Sequence, residues 1–166
     1  MRIRKATLHD ARGISQVHVS SWRSTYQGIV EDSYLENMKV EERLLLWETA
    51  LANPPYIIYV AENINGEVVG FACGGQERSQ KYDADGEVYA IYILEPYQRQ
   101  GLGRALITEV RQDLVAAQYH TMLIWVLEQN PARPFYEALG GKAVATETLQ
   151  IGNRQFKEMA YVWKLN

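Results

Sequence analysis

The chain is poor in the residues that build disulfides, metal sites and membrane segments. Its 166 residues include one cysteine, Cys73, which excludes an internal disulfide. No apolar run approaches the roughly 20 residues of a membrane span, and residues 1–5 lack the apolar stretch of a signal peptide. The histidines His9, His18 and His120 are scattered without metal-ligand spacing. These absences predict a cytoplasmic protein with no metal and no membrane association.

Positive charge is also limited. The formal net charge is −3 and the pI is near 5.7, which argues against nucleic acid as a main partner because phosphate binding needs a basic surface. The chain is 47% hydrophobic and 22% charged, an ordinary globular composition. Length and composition together predict a single domain, residues 1–166, with a substantial core.

Hydrophobic periodicity predicts the element order β-α-α-β-β-β-α-β-α-β-β, a mixed sheet with helices on its faces. Residues 22–28 interrupt the first helical pattern and are predicted to form a loop between two helices. The predicted strands cover residues 3–7, 56–61, 68–74, 87–94, 121–126, 142–149 and 155–163. The predicted helices cover 11–21, 102–117 and 131–139, and a second helical region runs with interruptions from 32 to 51.

The stretch Gln98-Arg99-Gln100-Gly101-Leu102-Gly103-Arg104 is the most informative part of the sequence. It joins a β-rich run to an amphipathic helix. Glycine lets the backbone approach a ligand closely, and the first N–H groups of a helix have no internal partner. The helix dipole adds partial positive charge there, so this turn is predicted to bind phosphate.

Two common nucleotide motifs do not fit this turn. The lysine and hydroxyl residue of a Walker A loop are absent. The third glycine of a dinucleotide fingerprint is replaced by Leu106, and the turn lies mid-chain rather than after a first strand. Phosphate would therefore be held mainly by backbone N–H groups.

The spacing Gln/Arg-x-x-Gly-x-Gly resembles the signature of the GNAT superfamily of N-acetyltransferases. Residues 87–97 look like the family's fourth strand and its exit, residues 123–141 like its fifth strand and following helix, and residues 22–28 like the acceptor-site helices of many members. The resemblance covers nearly the whole chain. It implies an α/β (α+β) fold with a mixed, mostly antiparallel sheet of six to seven strands, helices on both faces, and two central parallel strands that splay apart.

The resemblance also implies acetyl-coenzyme A as co-substrate. The pantetheine arm would lie along the backbone of Ile91, Tyr92 and Ile93, where an N–H group would polarise the thioester carbonyl. The expected pyrophosphate site comprises Arg99, Gln100, Gly101, Leu102, Gly103 and Arg104, and the positions Asn130, Arg133 and Tyr136 complete the expected coenzyme contacts.

In such an enzyme an amine attacks the thioester directly, which requires a base and an acid. Glu87 matches an acidic position that serves as base in some members, and Tyr136 matches the family's acid; a solvated strand-start carboxylate and a core aromatic are the alternative interpretations. Trp22, Tyr26 and Tyr89 are candidate acceptor contacts, although Trp22 and Tyr26 also fit a core stripe. No cysteine nucleophile is required, and Cys73 is expected to be a buried apolar residue.

The acceptor is expected to be a primary amine of a small molecule, a polyamine or a peptide. Glu31, Glu36, Asp83 and Asp85 near the acceptor loops would favour a cationic one. The alternatives are a non-catalytic acyl-coenzyme A sensor and an acyltransferase that uses another acyl donor. Dimers are common in the family, and the apolar C-terminal strand ending at residues 161–163 is a candidate homodimer interface.

Overall fold

The computed structural model describes residues 1–165. The strands are β1 (Arg2–Lys5), β2 (Ile57–Glu62), β3 (Val68–Gln76), β4 (Gly86–Ile93), β5 (Thr121–Leu127), β6 (Lys142–Ile151) and β7 (Arg154–Lys164), and the helices are α1 (Ala11–Tyr26), α2 (Asp32–Asn37), α3 (Val40–Leu51), α4 (Leu102–Ala116) and α5 (Arg133–Ala138). The strands form one sheet in the order β1-β2-β3-β4-β5-β7-β6. Every neighbouring pair is antiparallel except β4 and β5. The predicted fold class is confirmed.

The sheet carries helices on both faces, as its strand patterns require. Along β2, Tyr59 and Ala61 pack with α4 on one face, whereas Ile58 and Val60 pack with α1 and α3 on the other. This alternation follows from the two-residue repeat of a strand. Cys73 is buried on the α1 face, where burial raises its thiol pKa to about 12, so the prediction of a buried apolar cysteine is confirmed.

The prediction of a loop at residues 22–28 is wrong, because α1 continues to Tyr26. Its last turn is held by distant parts of the chain. The indole N–H of Trp22 donates to the hydroxyl of Tyr92 at 3.0 Å, and the Tyr26 hydroxyl accepts from the side-chain amide of Asn130 at 3.1 Å. Gln27 is the C-cap of the helix, and Gly28, the next residue, has a φ of 77° in the left-handed region. Tertiary contacts therefore override the weak local helix signal.

The predicted second helical region is divided into α2 and α3. The break falls at Met38 and Lys39, which have extended backbone angles. Met38 is buried in a cluster with Val19, Leu35 and Phe156, so the break turns an apolar side chain into the core.

The parallel strands β4 and β5 pair along only a short stretch, from Gly86↔Met122 to Val88↔Ile124. Beyond Val88, β4 continues with β3, and β5 continues with β7. The register of β3 and β4 shifts between Cys73 and Gly74, and such a bulge increases local twist. The two central strands therefore diverge and leave a wedge-shaped opening.

The C-terminal strand β7 lies inside the sheet, between β5 and β6. Tyr161 and Trp163 are buried in the core. The expectation that this strand offers an interface is therefore wrong, because its edges and its large aromatic side chains are already covered within the chain.

Candidate active site

The turn that opens α4 combines unusual backbone angles with an uncapped helix end. Arg99 and Gly101 have φ values of 59° and 83°, both in the left-handed region. Gly101 occupies the N-cap, and no side chain caps the first turn. Amide groups around such a turn form a concave set of N–H donors, which binds anions. The geometry therefore fits the predicted phosphate site.

Gly103 has a different role from Gly101. A Cβ on Gly103 would lie 3.1 Å from Cζ of Phe135 and 3.5 Å from Cδ1 of Ile93, whereas a Cβ on Gly101 would meet nothing within 4 Å. Gly101 is thus required for its backbone conformation, and Gly103 for the close approach of α4 to α5 and β4.

A cavity of about 420 Å³ extends from this turn along residues 91–93 of β4 to Asn130 and α5; we call it the donor cavity. It is lined by Ser21, Thr25, Ile91, Tyr92, Ile93, Gln98, Arg99, Gly101, Gly103, Arg104, Asn130, Ala132, Phe135 and Tyr136. Most of the residues predicted for coenzyme binding are thus brought together. Its size lies within the range of small-molecule sites.

Residues 89–93 of β4 face the opening without a strand partner on that side. In an antiparallel ladder only alternate residues bond to the neighbouring strand, so the others direct N–H and C=O groups away from β3. The Ile93 carbonyl accepts a hydrogen bond of 3.0 Å from the Gln98 side chain. The remaining edge is available to a ligand that carries amide groups.

Ser21 supplies a further polar group to the donor cavity. Its hydroxyl is buried and has no hydrogen-bond partner within residues 1–165. An unsatisfied buried hydroxyl costs about 1–3 kcal/mol. A ligand with a polar group at this position would recover that cost.

Tyr136 lines both this cavity and a neighbouring one. The side chain is buried against Phe135, Tyr161 and Trp163, and burial raises its hydroxyl pKa above the ordinary value. The hydroxyl therefore stays protonated at neutral pH and can donate a proton or a hydrogen bond.

A second cavity of about 190 Å³ adjoins the first; we call it the acceptor cavity. Trp22, Tyr26 and Tyr89, the predicted acceptor contacts, all line it. The complete lining is Trp22, Tyr26, Arg78, Tyr89, Ala90, Ile91, Tyr92, Ile124, Trp125, Val126, Leu127, Asn130, Tyr136, Leu149, Ile151 and Glu158. Four residues line both cavities, namely Ile91, Tyr92, Asn130 and Tyr136.

Tyr92 is held in place between the cavities by buried aromatic groups. Its ring stacks on His18 at 5.5 Å between centroids, and its hydroxyl accepts from Trp22. Burial lowers the pKa of His18 to about 4, so the imidazole is neutral, and its Nδ1 accepts from the Trp47 indole at 3.1 Å. His18 is therefore a packing residue.

The structure does not bring Glu87 into either cavity. Its carboxylate is buried and accepts three hydrogen bonds from Arg78, one from the backbone N–H at 3.0 Å and two from the guanidinium at 2.6 and 3.2 Å. The interpretation of Glu87 as a solvated strand-start carboxylate is wrong, and its predicted role as base has no support from its position. Its contacts instead fix Arg78, whose guanidinium lies 4.4 Å from the Tyr89 ring centroid.

Three further residues that were predicted to contact the coenzyme place no side chain in the donor cavity, namely Gln100, Leu102 and Arg133. The Gln100 amide donates to the Pro96 carbonyl, and Leu102 is buried in the core. The Arg133 guanidinium bonds to the Tyr161 hydroxyl and to the Glu128 carbonyl, each at 3.1 Å. Gln100 and Leu102 can contribute only backbone N–H groups.

None of the four acidic residues expected near the acceptor lines the acceptor cavity. Asp85 has a structural role: its carboxylate accepts from the backbone N–H groups of His120 and Thr121, each at 2.8 Å, and from the Thr121 hydroxyl at 2.7 Å. These bonds hold the start of β4 beside the start of β5, at the closed end of the wedge. The structure therefore gives no support to the expectation that these acidic residues attract the acceptor, namely Glu31, Glu36, Asp83 and Asp85.

Several cavity residues were missed from sequence. Thr25 fell in the wrongly predicted loop, and Ser21 lay in the predicted first helix without a motif that marks it as a site residue, although their four-residue spacing places both on one helix face. Arg78, Trp125 and Glu158 are polar or aromatic residues that no local motif singles out. These residues line a cavity only because β4 and β5 diverge.

Neither metal ligation nor a membrane helix is indicated. Within residues 1–165, no group of three or more His, Cys, Asp or Glu side chains is arranged to hold a metal ion. The helices in the described part of the chain are too short or too polar to cross a membrane.

Comparison with known proteins gives a consistent result. The family model for the acetyltransferase (GNAT) family matches residues 19–141. The uncharacterized N-acetyltransferase YuaI of Bacillus subtilis is 38% identical over 161 residues, covering 97% of this chain and 91% of that protein. A probable N-acetyltransferase of Mycobacterium tuberculosis, Rv2775, is 28% identical over 82% of this chain and 77% of its own length.

Solved structures share the fold. The YncA protein of Salmonella typhimurium, a putative acetyltransferase solved with acetyl-CoA, superimposes with a TM-score of 0.74 at 22% identity over 100% of this chain and 94% of its own. The ribosomal-protein-alanine N-acetyltransferase of Brucella melitensis gives a TM-score of 0.77 at 20% identity over 99% of each chain. With the family model covering most of the chain and a relative of 38% identity along nearly all of it, this chain belongs to the GNAT family of acetyltransferases.

Proposed function

We propose that this acyltransferase moves an acetyl group from acetyl-coenzyme A to a primary amine by direct attack within a ternary complex. The observation that carries the proposal is the meeting of two cavities at Ile91, Tyr92, Asn130 and Tyr136. One cavity begins at the glycine turn before α4, and the other is lined by aromatic and charged side chains. Two substrates can therefore meet without a covalent enzyme intermediate.

The residues present fit acetyl-coenzyme A as donor. The uncapped start of α4 offers N–H groups to a pyrophosphate, with Arg99 and Arg104 adding full charges. The open edge of β4 and the unpaired Ser21 hydroxyl offer hydrogen bonds to the amide-bearing arm. When bound, the coenzyme supplies the thioester that is cleaved. A backbone N–H at Ile91 or Tyr92 is the candidate group to polarise its carbonyl.

Tyr136 is the proposed acid. Tyr136 lines both cavities, and its hydroxyl stays protonated because burial raises its pKa. It can donate to the sulfur as the C–S bond breaks. The amine must lose a proton before it attacks, since an alkylamine with a pKa of about 10.4 pays roughly 4 kcal/mol to be neutral at physiological pH. A base is therefore needed near the acceptor.

The test is titration calorimetry with acetyl-coenzyme A, followed by thiol release with a panel of amines. Binding together with amine-dependent thiol release supports the proposal. Binding without release from any amine would favour a sensor, and release from propionyl- or succinyl-coenzyme A at a higher rate would reassign the donor. The acceptor's identity, a homodimer and a cytoplasmic location stay predictions.

A further inference from the structure

Three glutamates lie close together beside the acceptor cavity, and two of them are satisfied. Glu87 accepts from Arg78, as described above. Glu147 accepts from the Tyr82 hydroxyl and lies 3.8 Å from the Lys81 ammonium. The Glu158 carboxylate, by contrast, makes no hydrogen bond or ion pair with any group in residues 1–165.

Glu158 is the only one of the three that lines the acceptor cavity. It lies on β7 opposite Leu127, the last residue of β5, at the open end of the wedge. The cavity wall around it includes the aromatic rings of Trp22, Tyr26 and Trp125. A carboxylate in such surroundings matches a cation, because aromatic faces attract positive charge as well.

This arrangement lowers the stability of the sheet. Glu147 and Glu158 are direct partners across β6 and β7, and like charges in that position are destabilising. Burial raises the pKa of Glu158, the charges of Glu147 and Glu87 raise it further, and Arg78 opposes them. Glu158, Glu87 and Arg78 together leave one uncompensated negative charge in the absence of a ligand.

We infer that Glu158 binds the ammonium group of the acceptor and removes its proton. The inference rests on the proposed function and names the base and the acceptor class for that site. The acceptor is a small primary amine with one positive charge and an apolar body, because the cavity measures about 190 Å³ and its other charged side chain, Arg78, is paired with Glu87.

One ammonium proton moves to a carboxylate oxygen of Glu158, and the nitrogen lone pair then forms a C–N bond with the thioester carbon. The C–S bond breaks, and the sulfur takes a proton from Tyr136. The nitrogen loses a second proton, which restores Tyr136, and Glu158 releases its proton to solvent. The products are an amide, a thiol and one proton.

The experiment compares Glu158→Gln with Glu147→Gln, its cross-strand neighbour outside the cavity. Acetyl-coenzyme A binding is measured by calorimetry for each variant. Thiol release is measured from pH 5.5 to 9.5 with 2-phenylethylamine, tryptamine, spermidine and L-phenylalanine, and the best acceptor is used for the full profile.

We expect the two aromatic monoamines to exceed spermidine and L-phenylalanine in kcat/KM. Glu158→Gln should lower kcat/KM by about 100-fold and remove the acidic limb that belongs to the base, with unchanged coenzyme binding. Glu147→Gln should shift that limb to lower pH and keep the rate at high pH within about threefold, since it removes a charge that faces Glu158. Glu87 and Arg78 also face it and remain in both variants.

Three outcomes would overturn the inference. One is a Glu158→Gln enzyme that retains the wild-type profile. Another is wild-type protein that binds acetyl-coenzyme A and releases no thiol with any of the four acceptors. The third is a clear preference for L-phenylalanine, which would show that Arg78 recognises a carboxylate. Absence of acetyl-coenzyme A binding would instead overturn the proposed function itself, and the assignment of Glu158 with it.

Discussion

The indole N–H of Trp22 on α1 donates to the hydroxyl of Tyr92 on β4 across 3.0 Å. The two residues are 70 positions apart, and Tyr92 lines both cavities whereas Trp22 lines the acceptor cavity. This bond fixes the acceptor wall relative to the strand along which the donor is proposed to lie. It therefore couples the walls of the two cavities.

Replacing Trp22 by phenylalanine should remove this bond and enlarge the acceptor cavity. We expect KM for the amine to rise about tenfold, while acetyl-coenzyme A affinity stays unchanged, because the lost hydrogen bond is worth about 1 kcal/mol and the indole ring lines the proposed acceptor cavity. The matched control is Trp47→Phe, which removes a similar indole bond, that to His18, away from both cavities. A similar rise in KM for both variants would contradict this role for Trp22.

Gly101 and Gly66 form a second matched pair. Both have positive φ, 83° and 78°, and a Cβ on either would meet nothing within 4 Å. Replacement by alanine should lower the free energy of unfolding by about 1 kcal/mol at each position, since alanine is strained in this conformation. Only Gly101→Ala should also weaken acetyl-coenzyme A binding in calorimetry. Equal affinities in the two variants would argue against a phosphate site at the α4 turn.

Substitutions at two buried serines on α1 distinguish an effect on ligand binding from an effect on helix stability. Ser21 has an unpaired hydroxyl at the donor cavity, whereas the Ser15 hydroxyl donates to the Ala11 carbonyl at 2.6 Å. Ser21→Ala should leave the unliganded protein as stable or slightly more stable and weaken acetyl-coenzyme A binding by about fivefold to tenfold. Ser15→Ala should lower thermal stability with no effect on affinity. The reverse pattern would remove Ser21 from the donor site.

The sequence predicted those parts of the fold that depend on neighbouring residues. Gly101 and Gly103 predict the turn before α4, because a turn of this kind needs residues that tolerate its backbone conformation and close packing. The last turn of α1 could not be predicted in the same way. Its stability comes from Tyr92 and Asn130, which are 70 and 104 positions away.

The site residues likewise divide into those that a local motif predicts and those that only the fold brings together. The donor residues share a local motif and were largely predicted. Glu158 was not, because a single glutamate in an alternating strand is typical of a solvent-facing position, and only the divergence of β4 and β5 creates the cavity beside it. Glu87 matched a family position, but its pairing with Arg78 depends on the path of the segment between β3 and β4.

Acid should destabilise the protein through Asp10. Hydrogen bonds from Arg4, at 2.8 Å to each carboxylate oxygen, lower the Asp10 pKa below its ordinary value despite its burial. A depressed pKa in the folded state contributes stability above the unfolded value of about 3.9, and this stability is lost as the pH falls through the folded value. Asp10→Asn should therefore lower the free energy of unfolding at pH 7 by about 2 kcal/mol and weaken its pH dependence below about pH 4. Denaturant titrations across this range, with the exposed Asp83→Asn as control, test the prediction. An acid response equal to that of wild type would contradict it.

The central claim is that acetyl-coenzyme A and an amine meet at Tyr136, and thiol release in wild type and Tyr136→Phe tests it most directly. We predict amine-dependent release by the wild-type protein. The phenylalanine variant should bind acetyl-coenzyme A with unchanged affinity and have a kcat lower by about 100-fold, because only the proton donor is removed. A variant with the wild-type kcat would contradict the assignment of the acid, and wild-type protein that binds the coenzyme but never releases thiol with any amine would contradict the account as a whole.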